Sequence, residues 1–116
     1  VRSHKVPGRT LDQVVVQNAL DRVNLVKIDI EGGELDVLRS APETMMKFRP
    51  TWIVEYGVNT WPAFGATPEQ LLELLSERRY AVRQFDPRAG RLFEPDASIW
   101  QSGYANLVLV PAEKLN

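Results

Sequence analysis

Asp29, Glu31 and Glu34 crowd three carboxylates around the glycine pair Gly32-Gly33. Asp29 and Glu31 lie two residues apart, so on an extended strand they share one face. Oxygens held that way can orient a substrate hydroxyl, accept its proton, or hold a divalent cation. They can equally accept backbone N–H groups of the glycine turn and cap the helix beyond it. Glu34 reads differently, because a carboxylate in the first turn of a helix is favoured by the unpaired N–H groups there. All three together also suggest a magnesium site for phosphate chemistry, though no phosphate-cradling glycine loop or catalytic histidine accompanies them. Glu55 follows a second apolar run and can face the same crevice or simply end its strand in water. Trp61 and Phe64 stand on the stretch from Gly57 to Ala66, outside any helical period. Aromatic rings on such a loop can line a substrate pocket or pack beneath the loop as its own small core.

The elements that must position these groups follow from hydrophobic period and punctuation. Leu25, Val26, Ile28 and Ile30 predict a buried strand that ends at the two glycines. In open parallel α/β sheets, ligands bind beyond the carboxyl ends of the strands, where these acids would lie. Thr10 and Gln13 form a capping box that predicts a helix to about Leu20. Glu34 to Ser40 reads as a helix with Leu35 and Leu38 inward. Ser40-Ala41-Pro42-Glu43 restarts it, with Ser40 as cap and proline near the first helical position. Thr51's neighbours Trp52 to Tyr56 make the second strand. Thr67-Pro68-Glu69-Gln70 starts a helix reaching about Arg79 and burying Leu71, Leu72, Leu74 and Leu75. Tyr80 to Phe85 is a strand, Asp86 to Gly90 a turn, Arg91 to Phe93 a short return strand, and Ala105 to Val110 the last strand. This order is that of an α/β sheet with an antiparallel edge.

Composition bounds the function. The 116 residues are 44% hydrophobic and 25% charged, the size of one ordinary domain. A net charge of −1, from 14 basic and 15 acidic residues, gives no reason to expect a nucleic-acid partner. With no cysteine, disulfides, thiol nucleophiles and cysteine–zinc sites are excluded. No apolar run approaches the roughly 20 residues of a membrane span, and no signal peptide is visible, so the expected location is cytoplasmic. His4, the single histidine, sits in a polar stretch and is assigned no metal or catalytic role. Lys27 inside an apolar strand must snorkel or pair.

Thr10-Leu11-Asp12, Leu25 to Ser40 (LVKIDIEGGELDVLRS), Arg49-Pro50 with Val54-Glu55, and Asn106 to Pro111 together resemble the FkbM-type methyltransferases. The core K-I-D-[IV]-E-G-x-E carries most of that resemblance. It implies a Rossmann-like methyltransferase fold, S-adenosylmethionine as cofactor, and O-methylation of a hydroxyl on a sugar or secondary metabolite. By analogy, the strands at Leu25, Trp52, Tyr80 and Ala105 are the fourth to seventh of that fold. Asp29 and Glu31 are then the catalytic candidates, Asp29 and Gly32 the cofactor contacts, and Glu55, Trp61 and Phe64 the groups facing a small-molecule hydroxyl acceptor. No resident metal is expected.

Two departures shape the expectation. None of the seven glycines (Gly8, Gly32, Gly33, Gly57, Gly65, Gly90 and Gly103) forms the G-x-G turn with which such folds approach their cofactor. With valine at position 1, the chain is therefore expected to be the C-terminal, substrate-side half of a longer protein, inactive alone. Ser40 and Arg79 stand where the family tends to have glycine, and a left-handed helix end at Arg79 would be strained. A non-catalytic α/β binding or assembly module is the alternative. Its strand near Leu25 would be an exposed apolar edge, inviting a second copy or a partner strand.

Overall fold

The computed structural model describes residues 8–101 and 103–115; His4 lies outside them. Thr10 forms its capping box with Gln13, opening α1 (Leu11–Gln17). That helix stops before Leu20 because Asn18 donates its amide N–H to the Val14 carbonyl at 2.8 Å and Ala19 takes a φ of +50°. Short polar side chains compete for helical backbone in this way. The first strand, β1 (Leu25–Ile28), leads through the glycine turn to α2 (Glu34–Arg39) and α3 (Pro42–Lys47).

The cap of α3 differs from the sequence expectation. Ser40 ends α2, donating its hydroxyl to the Val37 carbonyl at 2.9 Å, and the residue at the N-cap of α3 is Ala41. The capping carboxylate comes from α1. Asp12 accepts from Glu43 N at 3.0 Å, Thr44 N at 2.8 Å and the Thr44 hydroxyl at 2.6 Å. One aspartate thus satisfies unpaired N–H groups of a helix distant in sequence and fastens two helices together.

The remaining elements are β2 (Thr51–Gly57), α4 (Pro68–Glu77), β3 (Tyr80–Asp86), β4 (Arg91–Phe93) and β5 (Tyr104–Pro111). Thr67 and Gln70 make the second capping box as expected. Leu71, Leu74 and Leu75 are buried at i, i+3 and i+4, whereas Leu72 lies off that stripe and is 42% exposed, against expectation. The five-stranded sheet has the order β1-β2-β5-β3-β4. Strands β1 and β2 are parallel, and β5 runs antiparallel between β2 and β3. Among the described residues, no helix is long and apolar enough to cross a membrane.

Register sorts the side chains into two faces. Ile28 stands beside Val54, Val54 beside Leu107 and Trp52 beside Leu109, and all are buried against Leu35, Leu38, Met45, Leu71 and Leu75 of the helices. Each such aliphatic side chain withdrawn from water contributes about 1.5–3 kcal/mol. The opposite face is open. Lys27, Ile53, Phe85, Pro87, Leu92, Asn106 and Val108 line a shallow cavity of about 510 Å³ on it.

Arg49 closes the helical layer onto the sheet. Its Nε and one Nη each meet a Glu113 oxygen at 2.8 Å, while the guanidinium also donates to the Arg78 carbonyl at 2.7 Å and the Arg79 carbonyl at 2.8 Å. The same group stacks on the Tyr80 ring at 4.7 Å. Tyr80 donates its hydroxyl to the Pro50 carbonyl at 2.7 Å. Arg79 does take a left-handed φ, +58°. That geometry costs a side-chain-bearing residue about 1–2 kcal/mol. It also turns the Arg79 carbonyl toward Arg49 and the Ala112 amide, two bonds that offset the cost.

Two expected outcomes follow from these ties. Asp12→Ala should lower stability by about 1–2 kcal/mol in urea unfolding, and Asp12→Asn by less, because one amide oxygen still accepts; an unaltered Asp12→Ala midpoint would show the cap to be dispensable. The Arg49 guanidinium holds the Glu113 carboxyl well below its usual 4.5, at about 2. Since the folded value is the lower one, the pair's contribution is complete above pH 4.5 and is lost as pH falls through about 2. The pair is exposed, so the effect is modest. Thermal unfolding of Glu113→Gln should lose a corresponding part of the acid slope and match the parent's pH dependence at neutral pH. Identical acid slopes would count against the assignment.

Candidate active site at the carboxyl ends of the parallel strands

Because β1 ends at Ile28, Asp29 and Glu31 do not share a strand face as their spacing suggests. Asp29 lies just past the strand and Glu31 lies in the turn, where its φ is +54°. Both are exposed. Neither side chain makes a hydrogen bond or ion pair with another described residue. Both carboxylates therefore remain available to a ligand at the carboxyl end of β1.

The job of accepting backbone N–H groups in this turn belongs instead to Glu34, which is completely buried. Its two oxygens accept from Ile30 N at 3.0 Å and Gly32 N at 2.8 Å. That commitment removes it from the magnesium reading. Among the described residues, no group of three or more His, Cys, Asp or Glu could hold a metal ion.

Gly32 is buried at a φ of +122°, a conformation suited to glycine. A Cβ there would lie 2.6 Å from both Phe64 Cδ2 and the Thr60 carbonyl oxygen. The glycine is thus required by the loop packed on it, and the space above its Cα is already filled by protein. The structure brings the expected cofactor contact Gly32 against the expected acceptor contact Phe64.

That loop leaves the end of β2, the strand parallel to β1. Glu55 is half-buried and stands opposite Asn106 of β5, on the open face of the sheet. Trp61 is fully buried; its indole N–H donates to the Glu55 carbonyl at 3.0 Å, and its ring meets Tyr56 edge-on at 5.1 Å. It presents no surface to a ligand and serves as the loop's own core. Phe64 is 55% exposed and is the aromatic group that this loop offers outward.

Ile30, expected as the buried end of the first strand, instead lies past the end of β1, 50% exposed, alongside Gly33 near Phe64. Two further neighbours have no counterpart in the sequence expectations. Thr60 supplies the carbonyl above Gly32. Tyr104, 61% exposed, has its ring against Gly57 at the base of the same loop. Tyr104 begins a strand expected to start at Ala105, so pairing of Gly57 with Tyr104 extends β5 by a residue that no local signal announces. The combined edge carries two unengaged carboxylates on the glycine turn and, packed on that turn, the exposed ring of Phe64. Such an arrangement can orient a hydroxylated small molecule and take up a proton from it.

Comparison with known proteins adds the family. Searches of curated proteins and of solved structures gave no match. The methyltransferase FkbM domain family matches residues 1–82. The match takes in the glycine turn, β2 and the Trp61–Phe64 loop. Covering well over half of the 116 residues, it shows that the chain belongs to the methyltransferase FkbM domain family.

Proposed function

We propose that this chain is the acceptor-side half of a cytoplasmic, S-adenosylmethionine-dependent methyltransferase that methylates a hydroxyl of a small molecule. The observation that carries the reading is the pair of unengaged carboxylates, Asp29 and Glu31, at the carboxyl end of β1 inside the matched family span. In support of a Rossmann-like assignment, β1 and β2 are parallel and β5 is inserted antiparallel beside β2. These strands, with β3, then stand for the fourth to seventh of that fold.

The residues present fit the cofactor in part. S-adenosylmethionine carries a sulfonium and an ammonium group, which exposed carboxylates such as Asp29 complement, and when bound it supplies an electrophilic methyl. Gly32 fits less well as a direct contact, since Phe64 and Thr60 occupy the space above it. The main cofactor site is therefore assigned to other parts of a complete protein, and these 116 residues alone are expected to transfer no methyl group. In the reaction, Asp29 or Glu31 accepts the proton of the acceptor hydroxyl as its oxygen takes the methyl. Phe64 and Glu55 position the acceptor, and orientation of this kind supplies much of the rate.

A second reading rests on a separate observation. The outer edge of β1 has no strand partner among the described residues, and Leu25 there is 59% exposed. Such an edge invites pairing with a second copy or a partner strand. Sedimentation of the chain as a plain monomer would remove the self-pairing version.

The main reading is tested with labelled S-adenosylmethionine and a panel of sugar and polyol acceptors, using the complete protein. Asp29→Asn should reduce methyl transfer to the best acceptor by about 100-fold, with an unaltered melting curve. Transfer at the parent rate would remove Asp29 from the chemistry.

A further inference from the structure

The turn after β1 is held by a carboxylate that touches no part of the outer surface. Successive N–H groups of a turn with a left-handed residue converge into a concavity that takes an anion. In phosphate-binding loops the anion is the ligand. Here Ile30 N and Gly32 N converge on Glu34, whose two oxygens fill the concavity from within. Glu34 is fully buried, and the intervening Glu31 amide has no acceptor among the described residues. Left-handed φ at Glu31, +54°, is unfavourable for a side-chain-bearing residue, so something must hold it.

We infer that Glu34 is a positioning residue: its buried carboxylate fixes the left-handed turn at Glu31 and Gly32, and thereby sets where Asp29 and Glu31 present their oxygens. The geometry is specific to a carboxylate in this place. An aspartate is one methylene shorter and does not reach both amides. A glutamine keeps the length but turns an NH2 toward one of two N–H donors. Gly32 takes part from the other side, because its φ and the overlying Phe64 ring leave the turn no room to relax outward. The same occupancy closes this turn to phosphate.

The inference rests on Asp29 and Glu31 forming the site, and the test separates the two claims. In the parent protein, amide hydrogen exchange at Ile30 and Gly32 should be at least about 10-fold slower than at Glu31, although neither amide belongs to a helix or strand. Glu34→Gln should raise exchange at one of the two by about 10-fold or more, and Glu34→Asp serves as the second variant if the first fails to fold. Methyl transfer per folded molecule should fall about 10- to 100-fold in kcat in Glu34→Gln, with acceptor KM changed by less than about 2-fold. A purely structural glutamate would lower the folded fraction and leave kcat per folded molecule untouched. Equal exchange at the three amides of the parent overturns the inference, as does faster exchange with unchanged kcat. If instead Asp29→Asn transfers methyl at the parent rate, the site reading fails, while the exchange data still decide whether Glu34 holds the turn.

Discussion

The guanidinium of Arg49 is the contact on which the arrangement of layers depends. It joins the segment between α3 and β2 to the turn between α4 and β3 and to Glu113 beyond β5. An isolated exposed ion pair would contribute little. This one is bidentate, shares its donors with two backbone carbonyls, and lies on the Tyr80 ring, so each bond is made by a group already held by the others. Since Tyr80 also binds the Pro50 carbonyl and accepts from the Trp52 indole, the node reaches into the core at the start of β2. The position of β2 in turn decides where Glu55 and its loop emerge.

Local signals announced most of the elements, because most begin with a side chain that satisfies its own helix or with an alternating apolar run. The capping boxes at Thr10 and Thr67 are of that kind, and so are the strands at Trp52 and Tyr80. Apart from the early end of α1 at Asn18, what failed among the helices depended on packing between elements. Ser40 looked like the cap of α3, yet Asp12 on another helix performs it, a bond that sequence distance hides. Leu72 looked like core because α4 has four leucines, and only the packed stripe decides which three turn inward.

The site was legible as a place more than as a set of roles. Spacing of two suggested that Asp29 and Glu31 share a strand face, but β1 ends too early for the period to reach Glu31. The neighbouring Glu34, read from the helix N-terminus alone, carries the bonds first considered for those two acids. Trp61 and Phe64 stand three residues apart on one loop with opposite fates, one buried beneath it and one facing out. Loop aromatics have no period from which such a division can be read.

The contact of Phe64 and Thr60 with Gly32 has a consequence for how this edge can vary among relatives. A surface loop beyond the end of a strand is usually free to change length and composition. Here the loop's inner surface is moulded to a glycine on a different strand's turn, with no space for a methyl group. The two segments form one mating pair. A loop grafted from a relative will seat only if it leaves that gap closed, and a turn with a larger residue will demand a different loop. Change along this edge is thus tolerated at the outward ring of Phe64 and its flanks, while the inner half of the loop can change only together with the glycine.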